Sequence, residues 1–195
     1  MSALNKLAVF ASGTGSNFEA IEKAIREGQV NAEIALVVSD KPEAKVIDKA
    51  KSAGIPTFVF DPKGYSSKQV FEQEIVEALH KEKVDWIILA GYMRLVGDTL
   101  LTPYEGRIIN IHPSLLPAFK GLDAVGQAFD AGVKVTGVTI HFVDKGMDTG
   151  RIIAQEAVYV KDGMSKPDLE YEIQKVEHLL YPNTIQQLIN RGNQA

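Results

Sequence analysis

The chain predicts an α/β fold: a Rossmann-like, mostly parallel twisted sheet with flanking helices and an antiparallel carboxyl-terminal extension. Three observations carry that expectation. Short β-branched or aromatic runs alternate with helix-period stretches from Leu7 to Ile111, two glycines separate the first strand from the first helix, and two longer strand patterns follow each other after residue 132. In chain order, Leu7 to Ala11, Ile34 to Ser39, Thr57 to Phe60, Trp86 to Ala90 and Arg107 to Ile111 read as the strands of the parallel part. Several of these runs are apolar without a break, as in strands covered on both faces. Between strands, Phe18, Ile21 and Ile25 share one helical face and Phe71, Ile75 and Leu79 another. Each such helix leads into a further strand, through a crossover expected to be right-handed. Val135 to Val143 and Ile152 to Val160, joined by the loop Asp144 to Gly150, read as the antiparallel extension. A closing helix from about Asp168 to Asn190 carries Leu169, Ile173, Val176 and Leu180 at helical spacing, and Pro182 is expected to kink or restart it.

The 195 residues, 45% of them apolar, suit one domain over positions 1–195 and leave little room for a second. With 21 basic against 25 acidic residues there is no basic footprint for nucleic acid, so anionic ligands must be held locally. No cysteine is present, which excludes a disulfide framework, a thiol nucleophile and thiolate metal sites. The amino end runs directly into a strand without the charged and apolar regions of a secretory signal. No apolar run approaches the roughly 20 residues that span a bilayer. Cytoplasmic placement, no membrane contact and small-molecule partners are the expectation.

Arg107-Ile-Ile-Asn110-Ile-His112-Pro113 carries the most chemistry. A strand buried on both faces tolerates polar side chains at a cost, yet Asn110 and His112 stand two apart and therefore on one face. Pro113 holds His112 extended at the carboxyl edge, where open α/β sheets place ligands. An amide beside an imidazole suits carbonyl polarisation and proton transfer near neutral pH; a histidine that caps a turn is the plainer reading.

Ser12-Gly13-Thr14-Gly15-Ser16-Asn17-Phe18 follows the first strand. Glycines let a backbone approach an anion, and a helix amino end attracts it; a tight turn with Ser16 or Asn17 as helix cap accounts for the same residues. Phe18 stands where a dinucleotide site has its third glycine, so a mononucleotide-like phosphate is preferred, although Asp40 lies about where a ribose-binding acid would. Gly91-Tyr92-Met93-Arg94-Leu95-Val96 leaves the sheet at the same edge. It offers walls for a flat heterocycle and a cation in Arg94, or simply a loop packed on the core. Asp148, in a glycine-rich loop, is a candidate to organise His112 or a turn residue bonded to its own backbone.

Together these segments resemble the folate-dependent formyltransferase family. The resemblance runs through Ser12 to Asn17, Leu89 to Arg94, Asn110-Ile-His112-Pro-Ser-Leu-Leu-Pro117, Gly137 to Val143, Met147 to Gly150 and Val176 to Pro182. It implies transfer of the formyl group of 10-formyltetrahydrofolate to the amine of glycinamide ribonucleotide in purine biosynthesis, by direct attack through a tetrahedral intermediate and without a metal. By the family pattern Asn110 and His112 stabilise the oxyanion, His112 moves protons and Asp148 tunes it. Gly15, Ser16 and Asn17 take the ribonucleotide phosphate, and Glu177, with Gln174 a neighbour one turn earlier, its ribose. Met93, Arg94, Leu95 and Val96, with Asn110, Asp144, Met147 and Asp148, take the folate, and Lys68 faces its distal carboxylate. Where the family often has arginine, Lys68 removes bidentate carboxylate binding. Lys120, where proline is common, implies a looser loop.

Relatives acting on methionyl-tRNA, hydrolysing the folate or formylating sugar nucleotides share the catalytic run; the first two add domains for which this chain has no room. A nucleotide-binding domain without turnover would keep the glycine turn alone. His141 and His178 are read as structural, Leu116-Pro117 as a candidate cis bond, and a monomer or homodimer is expected.

Overall fold

The computed structural model describes residues 4–192. Seven strands form one sheet: β1 (Asn5–Phe10), β2 (Ala32–Ser39), β3 (Thr57–Val59), β4 (Trp86–Leu89), β5 (Ile108–His112), β6 (Val135–Phe142) and β7 (Ile152–Tyr159). Their order is β3-β2-β1-β4-β5-β6-β7. The first five pair in parallel, while β5 with β6 and β6 with β7 are antiparallel. Every strand anticipated from the sequence is present, with ends shifted by no more than two residues.

Among the described residues six α-helices flank the sheet: α1 (Ser16–Arg26), α2 (Lys45–Ser52), α3 (Lys68–Lys81), α4 (Asp98–Leu101), α5 (Ala124–Asp130) and α6 (Lys166–Gly192). Alternate strand residues feed two cores. Leu7, Val9, Val37, Ile88 and Ile109 pack with α1, α2 and α6. Ala8, Phe10, Val38, Leu89 and Ile108 pack with α3 and α4. Helices α2, α4 and α5 escape the periodicity reading because they are short, and α5 contains Gly126 in its first turn.

Pro182 does not restart the last helix. It lies buried inside one continuous 27-residue helix, where packing outweighs the ladder bond that its missing N–H denies the His178 carbonyl. One turn of that helix is tied directly to the sheet. The fully buried Tyr181 hydroxyl donates to the Leu89 carbonyl at 2.7 Å and reaches the Ile109 carbonyl at 3.2 Å. Tyr181→Phe is therefore expected to cost about 1–2 kcal/mol, read as a lower urea midpoint at constant slope. An unchanged midpoint would remove this bond from the list of supports.

The strand order reverses between β1 and β4, and the segments leaving those two strands diverge there to open a crevice at the carboxyl edge. That crevice, extended past the end of β5, holds the site.

Candidate active site

A cleft of about 490 Å³ runs along this edge, walled by the turn after β1, the segment after β4, the end of β5, the loops after β5 and β6, and Glu170 and Glu177 of α6. The turn after β1 ends in Gly15, whose φ of 76° is left-handed. An added Cβ would lie 2.6 Å from Val46 Cγ2, so glycine is demanded both by conformation and by the approach of α2. Gly15 is itself the cap of α1, and neither Ser16 nor Asn17 supplies a side-chain cap. The first amides of α1 are thereby left facing a cleft that Gly13 to Asn17 line.

Asn110 and His112 point from one face of β5 into the cleft. The antiparallel register places Asn110 opposite His141 of β6, and Asn110 Nδ2 lies 3.3 Å from His141 Nε2. The other nitrogen, His141 Nδ1, is 2.8 Å from the Phe142 carbonyl. A carbonyl only accepts, so Nδ1 carries the proton and the bare Nε2 accepts from Asn110. Burial lowers the pKa of His141, which keeps that neutral form in place.

The same rule orients His112. Its Nε2 stands 2.8 Å from the Phe119 carbonyl and must donate there, leaving Nδ1 toward Asp148 Oδ2 at 3.5 Å. Asp148 Oδ2 also accepts from the Gly121 amide at 2.8 Å, and Oδ1 lies 3.7 Å from His141 Nε2. The loop after β5 is thus pinned to both catalytic candidates. Within that loop the Lys120 carbonyl accepts from Gln127 Nε2 at 3.0 Å. Phe119, Asp123 and Asp148 take left-handed backbone conformations, with φ of 54°, 48° and 53°, which lets these loops turn tightly around the imidazole. Leu116-Pro117 is cis.

On the opposite wall Glu177 sits beside Asn17, whose Nδ2 is 3.5 Å from Oε2. Burial pushes the Glu177 pKa up to about 7, only partly opposed by that hydrogen bond.

A family model described as formyl transferase matches residues 5–185. The chain belongs to the formyl transferase family. Its sequence is 57% identical to the phosphoribosylglycinamide formyltransferase of Bacillus subtilis (strain 168), across 98% of this chain and 100% of that protein. The crystal structure of phosphoribosylglycinamide formyltransferase from Bacillus halodurans matches with a TM-score of 0.94 at 54% identity, covering 96% of this chain and 97% of that one. Glycinamide ribonucleotide transformylase 1 from Geobacillus kaustophilus gives 0.93 at 55% identity, with 95% and 99% covered.

In this formyl transferase the residues singled out by sequence converge with two departures. Gly15, Ser16, Asn17, Glu177, Met93 to Val96, Asn110, His112, Asp144, Met147 and Asp148 all line the one cleft. Gln174 does not; it is exposed on α6, while Glu170 and Glu177, two turns apart, line the cleft. Lys68 stands outside the cleft wall, 3.8 Å from Glu72 of its own helix. Arg94 is not free to meet an anion through Nε, which donates to Asp40 Oδ2 at 2.8 Å. Sequence reasoning missed the part that His141 plays in holding Asn110, although the period-two match of β6 against β5 was available to suggest it. It also missed the Phe119 carbonyl and Gly121 amide, which are backbone groups without a residue signature. His178 lies away from the cleft, with Nε2 buried and unpartnered.

Proposed function

We propose that this chain, acting as a single formyltransferase domain, transfers the formyl group of 10-formyltetrahydrofolate to the amine of glycinamide ribonucleotide in purine biosynthesis. The observation that carries the reading is the His112 Nδ1 to Asp148 arrangement beside Asn110, in a cleft whose ends are chemically distinct. At one end are the glycine turn, the free amides of α1 and Glu177. At the other are Met93, Leu95, Val96 and Met147, apolar walls for a planar heterocycle.

The ribonucleotide phosphate is held by the amides of Gly15, Ser16 and Asn17, and its ribose hydroxyls by Glu177. The folate co-substrate supplies an activated formyl carbon. Asn110 Nδ2 keeps a second hydrogen beyond the one given to His141, and aims it at the oxygen that gains negative charge when the amine attacks. His112 Nδ1 takes the proton that the amine loses, and Asp148 stabilises the imidazolium so formed. The same proton then returns from Nδ1 to the departing folate nitrogen, so that the transfer leaves the enzyme unchanged and needs no metal.

The direct test is to incubate the protein with both substrates and look by mass spectrometry for the formylated ribonucleotide. Free formate instead would make the chain a hydrolase. Neither product, with phosphate ligands still bound, would leave a binding domain without turnover.

Glu177 adds a pH prediction with a definite sign. Its carboxyl is protonated below about 7 and ionised above; the ionised form accepts from both ribose hydroxyls, the acid from fewer. Ribonucleotide affinity should therefore rise as pH increases through about 7 and level off above it. Calorimetric titrations of wild type and Glu177→Gln check this, because the variant retains the phosphate's own titration and should lose the remainder. Identical pH profiles would dismiss Glu177 as the source.

A further inference from the structure

We propose that Asp40 is a positioning residue for the folate half of the site: bridging Ser12 and Arg94, it sets the conformation of the segment Gly91 to Gly97. The inference rests on the formyl-transfer reading only in naming the ligand that the segment meets.

Asp40 follows directly on β2 and is 6% exposed, a burial that a carboxylate tolerates only when well partnered. Both oxygens are used. Oδ1 accepts from Ser12 Oγ at 2.5 Å, and Oδ2 accepts from Arg94 Nε at 2.8 Å. The Ser12 oxygen in turn accepts from the Met93 amide at 3.0 Å. One buried carboxylate thus fixes the hydroxyl that holds Met93 and the side chain that carries residue 94. Asp40 is absent from the cleft wall, which removes it from the ribose-binding role that its sequence position suggested.

The segment needs such tethers. Among the described residues no backbone amide or carbonyl of residues 92–96 bonds to another backbone group. Met93 and Leu95 are 63% and 50% exposed, so apolar burial contributes little to their placement. Beyond the Asp40 network, the near end is held by the Gly91 carbonyl, which accepts from the Ser12 amide at 3.0 Å, and by Tyr92 packed edge-on against Phe10. The far end is held by buried Val96 and by the Gly97 amide, which donates to Glu72 Oε1 at 2.7 Å. The backbone groups of 92–96 other than the Met93 amide are the ones able to read the edge of a heterocycle, and their direction depends on these anchors.

Asp40→Ala removes the bridge. Asp40→Asn retains it, because the amide oxygen accepts from Arg94 and the amide nitrogen donates to Ser12, which still accepts from Met93. Steady-state kinetics should show the alanine variant with KM for 10-formyltetrahydrofolate raised about tenfold or more, and with kcat and the ribonucleotide KM within about twofold of wild type. The asparagine variant should restore most of the folate KM. Calorimetry with 5-formyltetrahydrofolate, a non-reacting probe, should repeat the order wild type, asparagine, alanine without requiring turnover. An alanine variant with unchanged folate affinity, or one that loses both substrates equally, overturns the inference. Wild type that binds the folate probe yet forms no product defeats the transfer reading and leaves the positioning test intact. Wild type that binds no folate defeats both.

Discussion

His112→Ala is expected to lower kcat by about 10²–10⁴ while ribonucleotide binding stays within about twofold of wild type. The separation is geometric, since the phosphate is assigned to the turn after β1 and the imidazole stands at the end of β5. His112 is 5% exposed and donates to the Phe119 carbonyl, so alanine also frees a loop that carries Gly121 and, through it, Asp148. A second variant divides these effects. Glutamine can donate to the Phe119 carbonyl but cannot take up a proton at neutral pH. His112→Gln should therefore keep the loop and remain nearly as inactive as alanine. Single-turnover measurement with both substrates saturating reads this directly, and glutamine activity within about tenfold of wild type would place the proton transfer elsewhere.

Asn110→Ala should reduce kcat by about 10²–10³, the usual effect of removing one oxyanion donor, with little change in either KM. The size follows from preorganisation. His141 accepts one amide hydrogen of Asn110 and is itself locked by the Phe142 carbonyl, so the second hydrogen points into the cleft before substrate arrives. Asn110→Asp is the sharper variant. It keeps the volume, replaces a donor by an acceptor and adds negative charge beside Asp148, so it should be no more active than alanine. An aspartate variant with kcat near wild type would show that no oxyanion is stabilised from this position. Both substitutions leave the core beneath them untouched, because Ile109 and Ile111 pack on the opposite face.

How much of this site is legible in the chain depends on the kind of signal. Asn110 and His112 stand out because a polar pair in a buried strand carries a desolvation cost that only work or a partner offsets. The glycine turn stands out because positive φ has few alternatives to glycine, and Gly15 meets that need together with a close approach by Val46. Asp40 is different. As a buried carboxylate after a strand it fits a ribose acid equally well, and only the positions of Ser12 and Arg94, 28 and 54 residues away, decide between the roles. Lys68 and Gln174 show the same difficulty. Sequence places each on a helix near the site but leaves open which way the helix is rotated, and rotation is set by packing of its other faces.

What the sequence by itself determined is the alternation of strands and helices, the antiparallel extension, and the placement of Asn110 and His112 together at the carboxyl edge of the sheet. These rest on local signals: period, proline and glycine placement, and polar residues where apolar ones are expected. Tertiary structure alone decided the protonation pattern of the two imidazoles, the partners of Asp40 and Arg94, and the continuity of α6 through Pro182. Each of these depends on a group distant in the chain or on a backbone carbonyl that every residue possesses. A pattern of side chains cannot specify which carbonyl will be within reach; the packing of sheet and loops does.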